Sequence, residues 1–106
     1  MDADPVGELS IFDLIQAFQK VLKRFESAHD FGQIVDDRFT VADKVDYLLA
    51  EMMPGNSRRF QSLFETATTK SEVIVTFLAV LELMKMNQFR VKQDLLLGDI
   101  EIERCG

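Results

Sequence analysis

A chain of 106 residues that is 47% apolar, with nine Phe, can fill the core of one compact domain and leaves little for a second. Its formal net charge of -6 repels a phosphate backbone, so nucleic acid is a poor expectation as a direct ligand. One cysteine, Cys105, makes neither a disulfide framework nor a metal cage and suits a reducing cytoplasm.

The opening "MDADPVGELS" has no basic start followed by an apolar run, so no signal peptide is expected, and residues 1–9 read as a flexible lead-in. "SIFDLIQAFQKVLKRFES" then places Ile11, Leu14, Ile15, Phe18, Val21, Leu22 and Phe25 on one helical face, with Ser10 and Asp13 as an N-cap pair. Such a helix packs on its own domain or docks on another subunit. "QIVDDRFTV" reads as a short strand ending near Phe39. Thr40 and Asp43 cap a second helix whose stripe is Val41, Val45, Leu48, Leu49 and Met52, stopped by Pro54-Gly55. A third short helix is expected over "SRRFQSLFETA", capped by Ser57 and burying Phe60, Leu63 and Phe64. Ser71 caps a fourth, residues 72–87, whose apolar stretch over 73–84 is too short to span a bilayer.

The tail alternates. Phe89 and Val91 point one way and Arg90 and Lys92 the other, and beyond Gly98 Ile100 and Ile102 alternate with Asp99, Glu101 and Glu103. The fold class expected is mostly α with a small β-hairpin, an α+β winged-helix domain over 31–106 preceded by one amphipathic helix within 1–30.

In that architecture the fourth helix takes the place of a DNA-reading helix, whose outer face needs Arg, Lys, Asn or Gln. Helical spacing sets Ile74, Leu78, Leu81 and Lys85 on one line and Val73, Phe77, Val80 and Met84 on the next, a broad stripe suited to the core. The remaining sector, Glu72, Val75, Thr76, Ala79, Glu82, Leu83, Met86 and Asn87, carries two acids and no base, so it suits protein rather than DNA. Alternatively helix one covers this sector and no outer face exists. Leu95, Leu96 and Leu97 stand where a wing tip is ordinarily polar, which marks a partner site or leucines folded back on the core.

Chemistry is missing from the sequence. The single histidine, His29, falls in a loop with no local partner to tune it as a general base, and the acid pairs Asp36-Asp37 and Asp43-Asp46 read as solvated faces and caps. There is no glycine-rich phosphate loop, nucleophile elbow or zinc spacing, so neither an enzyme nor a cofactor is expected.

"EVIVTFLAVLELMKMNQFRVKQDLLLGDIEI" resembles the C-terminal signature of segregation and condensation protein A (ScpA), the bacterial kleisin family. The likeness is carried by Phe77, Leu78, Ala79, Leu81, Glu82 and Leu83, then by Val91, Gln93, Gly98, Asp99 and Ile100, and extends over roughly residues 8–104. Leu97 stands where the family usually has Phe. No counterpart of the kleisin N-terminal domain is present, so the chain reads as a C-terminal fragment. The resemblance implies a winged helix that docks on the ATPase head of SMC, with ScpB dimers bound by the adjoining middle region. It also implies a cytoplasmic protein that reaches the nucleoid through SMC, with no membrane and no direct nucleic-acid contact. The SMC-facing residues expected on this basis are Val75, Ala79, Glu82, Leu83, Met86, Phe89, Val91, Gln93 and Leu97. Ile11, Leu14, Phe18 and Leu22 of helix one are expected to dock on ScpB or within the chain. The competing expectation, from element order alone, is a DNA-binding winged-helix transcription regulator.

Overall fold

The structure, a computed structural model, describes residues 11–28, 40–93 and 99–105. Its elements are α1 (Ile11–Ala28), α2 (Val41–Glu51), β1 (Ser57–Arg59), a 3-10 turn (Phe60–Phe64), α3 (Lys70–Lys85), β2 (Phe89–Gln93) and β3 (Ile100–Arg104). The three strands form one antiparallel sheet in the order β1-β3-β2. From α2 onward this is a winged-helix-like arrangement, mostly helical with a small sheet, and α1 stands in front of it.

The start of α2 follows directly from its sequence. Thr40 Oγ1 accepts from the Asp43 amide at 3.0 Å while the Thr40 amide donates to Asp43 Oδ2 at 3.2 Å, so two amides that have no partner within the helix are satisfied reciprocally. After α2, Gly55 takes φ +90, where a Cβ would be strained, and its amide donates to Arg104 O at 2.9 Å. Arg104 closes the other side of this junction. Its Nη1 donates to Leu49 O at 3.1 Å and Met52 O at 2.8 Å, giving the carbonyls at the end of α2 a cationic partner.

Three expectations need correction. Residues 57–67 do not form an α-helix: Ser57, Arg58 and Arg59 pair with Glu103, Ile102 and Glu101 of β3, and only a 3-10 turn follows. Pairing with a strand more than 40 positions later supplies the backbone bonds that local spacing had assigned to a helix. Phe60, Leu63 and Phe64 are nonetheless buried, since their spacing serves either helix type. Second, α3 is capped by Thr69, whose side chain accepts from the Glu72 amide at 3.0 Å, rather than by Ser71. Third, α3 ends at Lys85 because Asn87 adopts φ 60, and the Gln88 amide folds back onto Leu83 O at 2.8 Å. The Ser10 cap, the strand read over 33–39, His29, the Asp36-Asp37 pair and Leu95 to Leu97 lie outside the described residues.

In the hairpin Val91 stands opposite Ile102 and Phe89 opposite Arg104, so the alternation read from the tail holds, with Phe89, Val91 and Ile102 turned into the core. α1 enters that same core through Leu14, Phe18 and Phe25. Phe18 stacks on Phe77 of α3 with ring centroids 4.1 Å apart and 5° between planes, and Phe64 and Phe60 complete an aromatic cluster joining α1, the 3-10 turn and α3.

Candidate functional site

The element that a winged helix offers outward is α3, and its faces follow from what packs on it. α2 lies along one flank, where Lys44 Nζ meets Glu72 Oε2 at 2.7 Å with both side chains 8% exposed. Glu72 is fully engaged there: its Oε1 accepts from the Thr68 amide at 3.0 Å. The Lys44 ammonium also lies 5.0 Å from the Tyr47 ring centroid. A pair this dry is held by multiple hydrogen bonds that offset desolvation, and it fixes α2 against the first turn of α3. α1 lies along the other flank through the Phe18–Phe77 stack.

Between these two supports α3 buries Glu72, Val73, Thr76, Phe77, Ala79, Val80 and Leu83, and turns Ile74, Leu78, Glu82, Lys85 and Met86 outward. The expected outer sector is therefore corrected. Ala79 and Leu83 are both 0% exposed, whereas Ile74 and Leu78, assigned to the core by spacing, are 37% and 43% exposed. The physical cause is that α2 packs on α3 at Glu72 and α1 packs on it at Phe77, so the side of α3 running from Glu72 to Phe77 is the one buried. Phe89 and Val91, also expected at a partner surface, are core residues of β2.

Of the remaining expected contacts, Glu82 and Met86 are exposed, Val75 and Gln93 are half-buried, and Leu97 lies outside the described residues. Val75, Glu82 and Met86 fall together on the flank of α3 away from α1, which is the set the structure does bring together. In α1, Leu14 and Phe18 pack inward, Leu22 is half-buried against the core, and Ile11 is exposed. The sequence reading missed the buried Lys44–Glu72 pair. Its signal was present, because Lys44 stands between Val41 and Leu48 on the apolar stripe of α2.

A groove of about 600 Å³ opens between α1, the 3-10 turn and the hairpin, floored by Ala17, Val21, Phe25, Phe60, Phe64 and Ile100. Its charged rim is partly matched internally: Arg24 Nη1 donates to Gln61 Oε1 at 3.2 Å, and Arg59 lies 3.9 Å from Asp99. Among the described residues no group of three or more His, Cys, Asp or Glu could hold a metal ion, and no helix is long and apolar enough to cross a membrane.

These features define a class: a small winged-helix-like α+β domain with a helix added in front, whose helix in the recognition position turns Ile74, Leu78 and Met86 outward beside Glu82 and Lys85. The chain belongs to the Segregation and condensation protein ScpA family, whose sequence profile matches residues 2–105. It is 31% identical over 101 residues to segregation and condensation protein A of Brevibacillus brevis, covering 95% of this chain and 40% of that protein. It is 36% identical over 97 residues to the protein of the same name from Lactococcus lactis, covering 90% of this chain and 40% of the relative. The Myxococcus xanthus protein is 34% identical over 95 residues, 88% of this chain and 32% of its own. The chain thus spans about 40% of the length of the first two relatives, and the matching stretch is their C-terminal region. No solved structure gives a significant match. The family's name ties its members to chromosome segregation and condensation.

Proposed function

We propose that this chain acts as the C-terminal domain of a bacterial kleisin and docks on the ATPase head of an SMC protein in chromosome condensation and segregation. The observation that carries the reading is the open side of α3, where Ile74, Leu78 and Met86 stand in the position from which a DNA reader would present polar and cationic side chains. Membership in the ScpA family, named for segregation and condensation, supports this reading. The head would meet Val75, Glu82 and Met86 on the flank of α3 away from α1, together with Gln93 and Leu97. β2 lies at the edge of the sheet, so its outer side is suited to pairing with a strand of the head.

In this role the domain performs no bond chemistry and needs no cofactor. It holds one orientation of the SMC head and so couples ATP engagement and hydrolysis, both carried out by SMC, to opening or closing of a kleisin ring. ScpB would bind the middle region of the longer polypeptide, and the assembly would act in the cytoplasm on the nucleoid.

Calorimetric titration of the chain into the isolated SMC head tests the reading. Saturable binding near one to one is expected, weakened about tenfold or more in Glu82→Arg/Met86→Asp, whose side chains are exposed and whose melting should not change. Absence of binding by the folded chain overturns it. Retention on duplex DNA at low salt, lost as salt rises, would replace it with the DNA-binding regulator.

A further inference from the structure

On the solvent side of the sheet each strand carries charge of one sign. Residues opposite one another in an antiparallel ladder point to the same side, and the sides alternate along a strand. The register therefore sets Ser57, Glu103 and Arg90 in one row and Arg59, Glu101 and Lys92 in the next, on the side away from buried Phe89, Val91 and Ile102. The two acids lie on the central strand β3, and Arg90 and Lys92 lie on the edge strand β2. Arg90 Nη2 and Lys92 Nζ approach one and the same oxygen, Glu103 Oε1, at 3.2 and 3.8 Å, and their side chains stay 67% and 40% exposed. Two cations thus share a carboxylate on their inner side, and among the described residues no other carboxylate pairs with either.

The backbone of the same edge alternates in step. The Cys105 amide donates to Gln88 O at 2.8 Å on the β2 side, whereas the Arg104 amide, one residue earlier, donates to Asn56 O at 2.8 Å on the β1 side. Every second pair of an antiparallel ladder exchanges bonds, so Arg90–Glu103 and Lys92–Glu101 are the bonded pairs between β2 and β3. The amide and carbonyl groups of Phe89 and Val91 consequently point away from β3, along the edge of the sheet, while their side chains enter the core.

We propose that β2 takes up an extended strand of the partner in which acidic residues alternate with apolar ones. This rests on the docking proposed above and names the chemistry of the strand that the SMC head supplies. Its backbone bonds to Phe89 and Val91. Its acids stand beside Arg90 and Lys92 and continue the row as acid, base, acid, while its apolar residues stand beside Phe89 and Val91 on the other side. A second copy of this chain is a poor occupant of that edge, because pairing β2 with β2 sets Arg90 and Lys92 against the same cations. The opposite edge is a poor dock as well. β1 has three residues, and Arg58 at its centre is drawn back to Glu51, 3.7 Å from the carboxylate and donating to the carbonyl at 3.2 Å.

Amide hydrogen exchange of the 106-residue chain, alone and bound to the SMC protein, tests this. In the complex the amides of Phe89 and Val91 should gain about tenfold or more in protection, while those of Arg90 and Lys92, already bonded to β3, should change far less. Arg90→Gln/Lys92→Gln should weaken binding about tenfold, with a larger effect at low salt. Its melting should match the parent, because exposed ion pairs add little to stability. Arg59→Gln, on the opposite edge, should leave binding unaltered. If the chain binds SMC but Phe89 and Val91 gain no protection, or the double variant binds as the parent does, the proposal is overturned and the docking stands. Absence of binding by the folded parent chain overturns both.

Discussion

α1 and α3 both carry abundant apolar residues, yet one declares its buried side and the other does not. In α1 the polar residues Gln16, Gln19, Lys20, Lys23 and Arg24 leave one apolar side, on which Leu14, Phe18 and Phe25 are buried while Ile11 and Ile15 at its edge are exposed. α3 is apolar around most of its circumference, and its orientation depends on what packs against it. The result is an inversion at its first turns: Glu72 is buried beside Lys44, while Ile74 and Leu78 face outward. Hydrophobic periodicity ranks the sides of a helix only when one side is polar enough to lose. Where two sides are apolar, the elements that pack against the helix decide between them, and in α3 those are α2 at Glu72 and α1 at Phe77.

The contrast breaks most sharply at adjacent turns of α3. Leu83→Ala should cost about 2–5 kcal/mol because it opens a cavity at a fully buried position, whereas Leu78→Ala should cost less than about 1 kcal/mol. Urea unfolding of the two variants measures the difference, and comparable losses would place Leu78 in the core. The buried pair is expected next. Lys44→Met leaves the Glu72 carboxylate without its cation and should cost about 3–5 kcal/mol, with Lys44→Met/Glu72→Gln recovering much of that. A double-mutant cycle that shows simple additivity would mean the two groups act independently.

Smaller effects probe the locally determined ends. Thr40→Ala removes the side-chain acceptor of the capping box and should lower stability by about 1 kcal/mol in thermal unfolding. Lys70→Ala removes the Glu26 contact, but with those side chains 48% and 41% exposed the loss should stay below about 1 kcal/mol. Amide hydrogen exchange would separate the two ways α1 is held. Protection of α1 in Lys70→Ala should match the parent, because the Phe18–Phe77 stack carries the docking.

The hairpin gives a second instance of local and tertiary information dividing the work. Alternation identified Phe89, Val91 and Ile102 as one face, and they are one face. Whether that face met the core or a partner was not contained in the alternation, because both are apolar environments. Residues 57–59 show the converse. Their helical spacing was real, but three ladder positions on β3 captured the backbone first and the apolar spacing was used by the 3-10 turn that follows.

By itself the sequence determined the capping box at Thr40 and Asp43, the stop at Pro54-Gly55, the apolar side of α1, the hairpin and the family, because each is specified by residues near one another in the chain. Only the tertiary structure decided which side of α3 is buried, that Lys44 and Glu72 meet 28 positions apart, and that α1 docks on α3 through Phe18 and Phe77. Those outcomes depend on which distant surfaces compete for the same apolar residues, and that competition is resolved by packing rather than by local pattern.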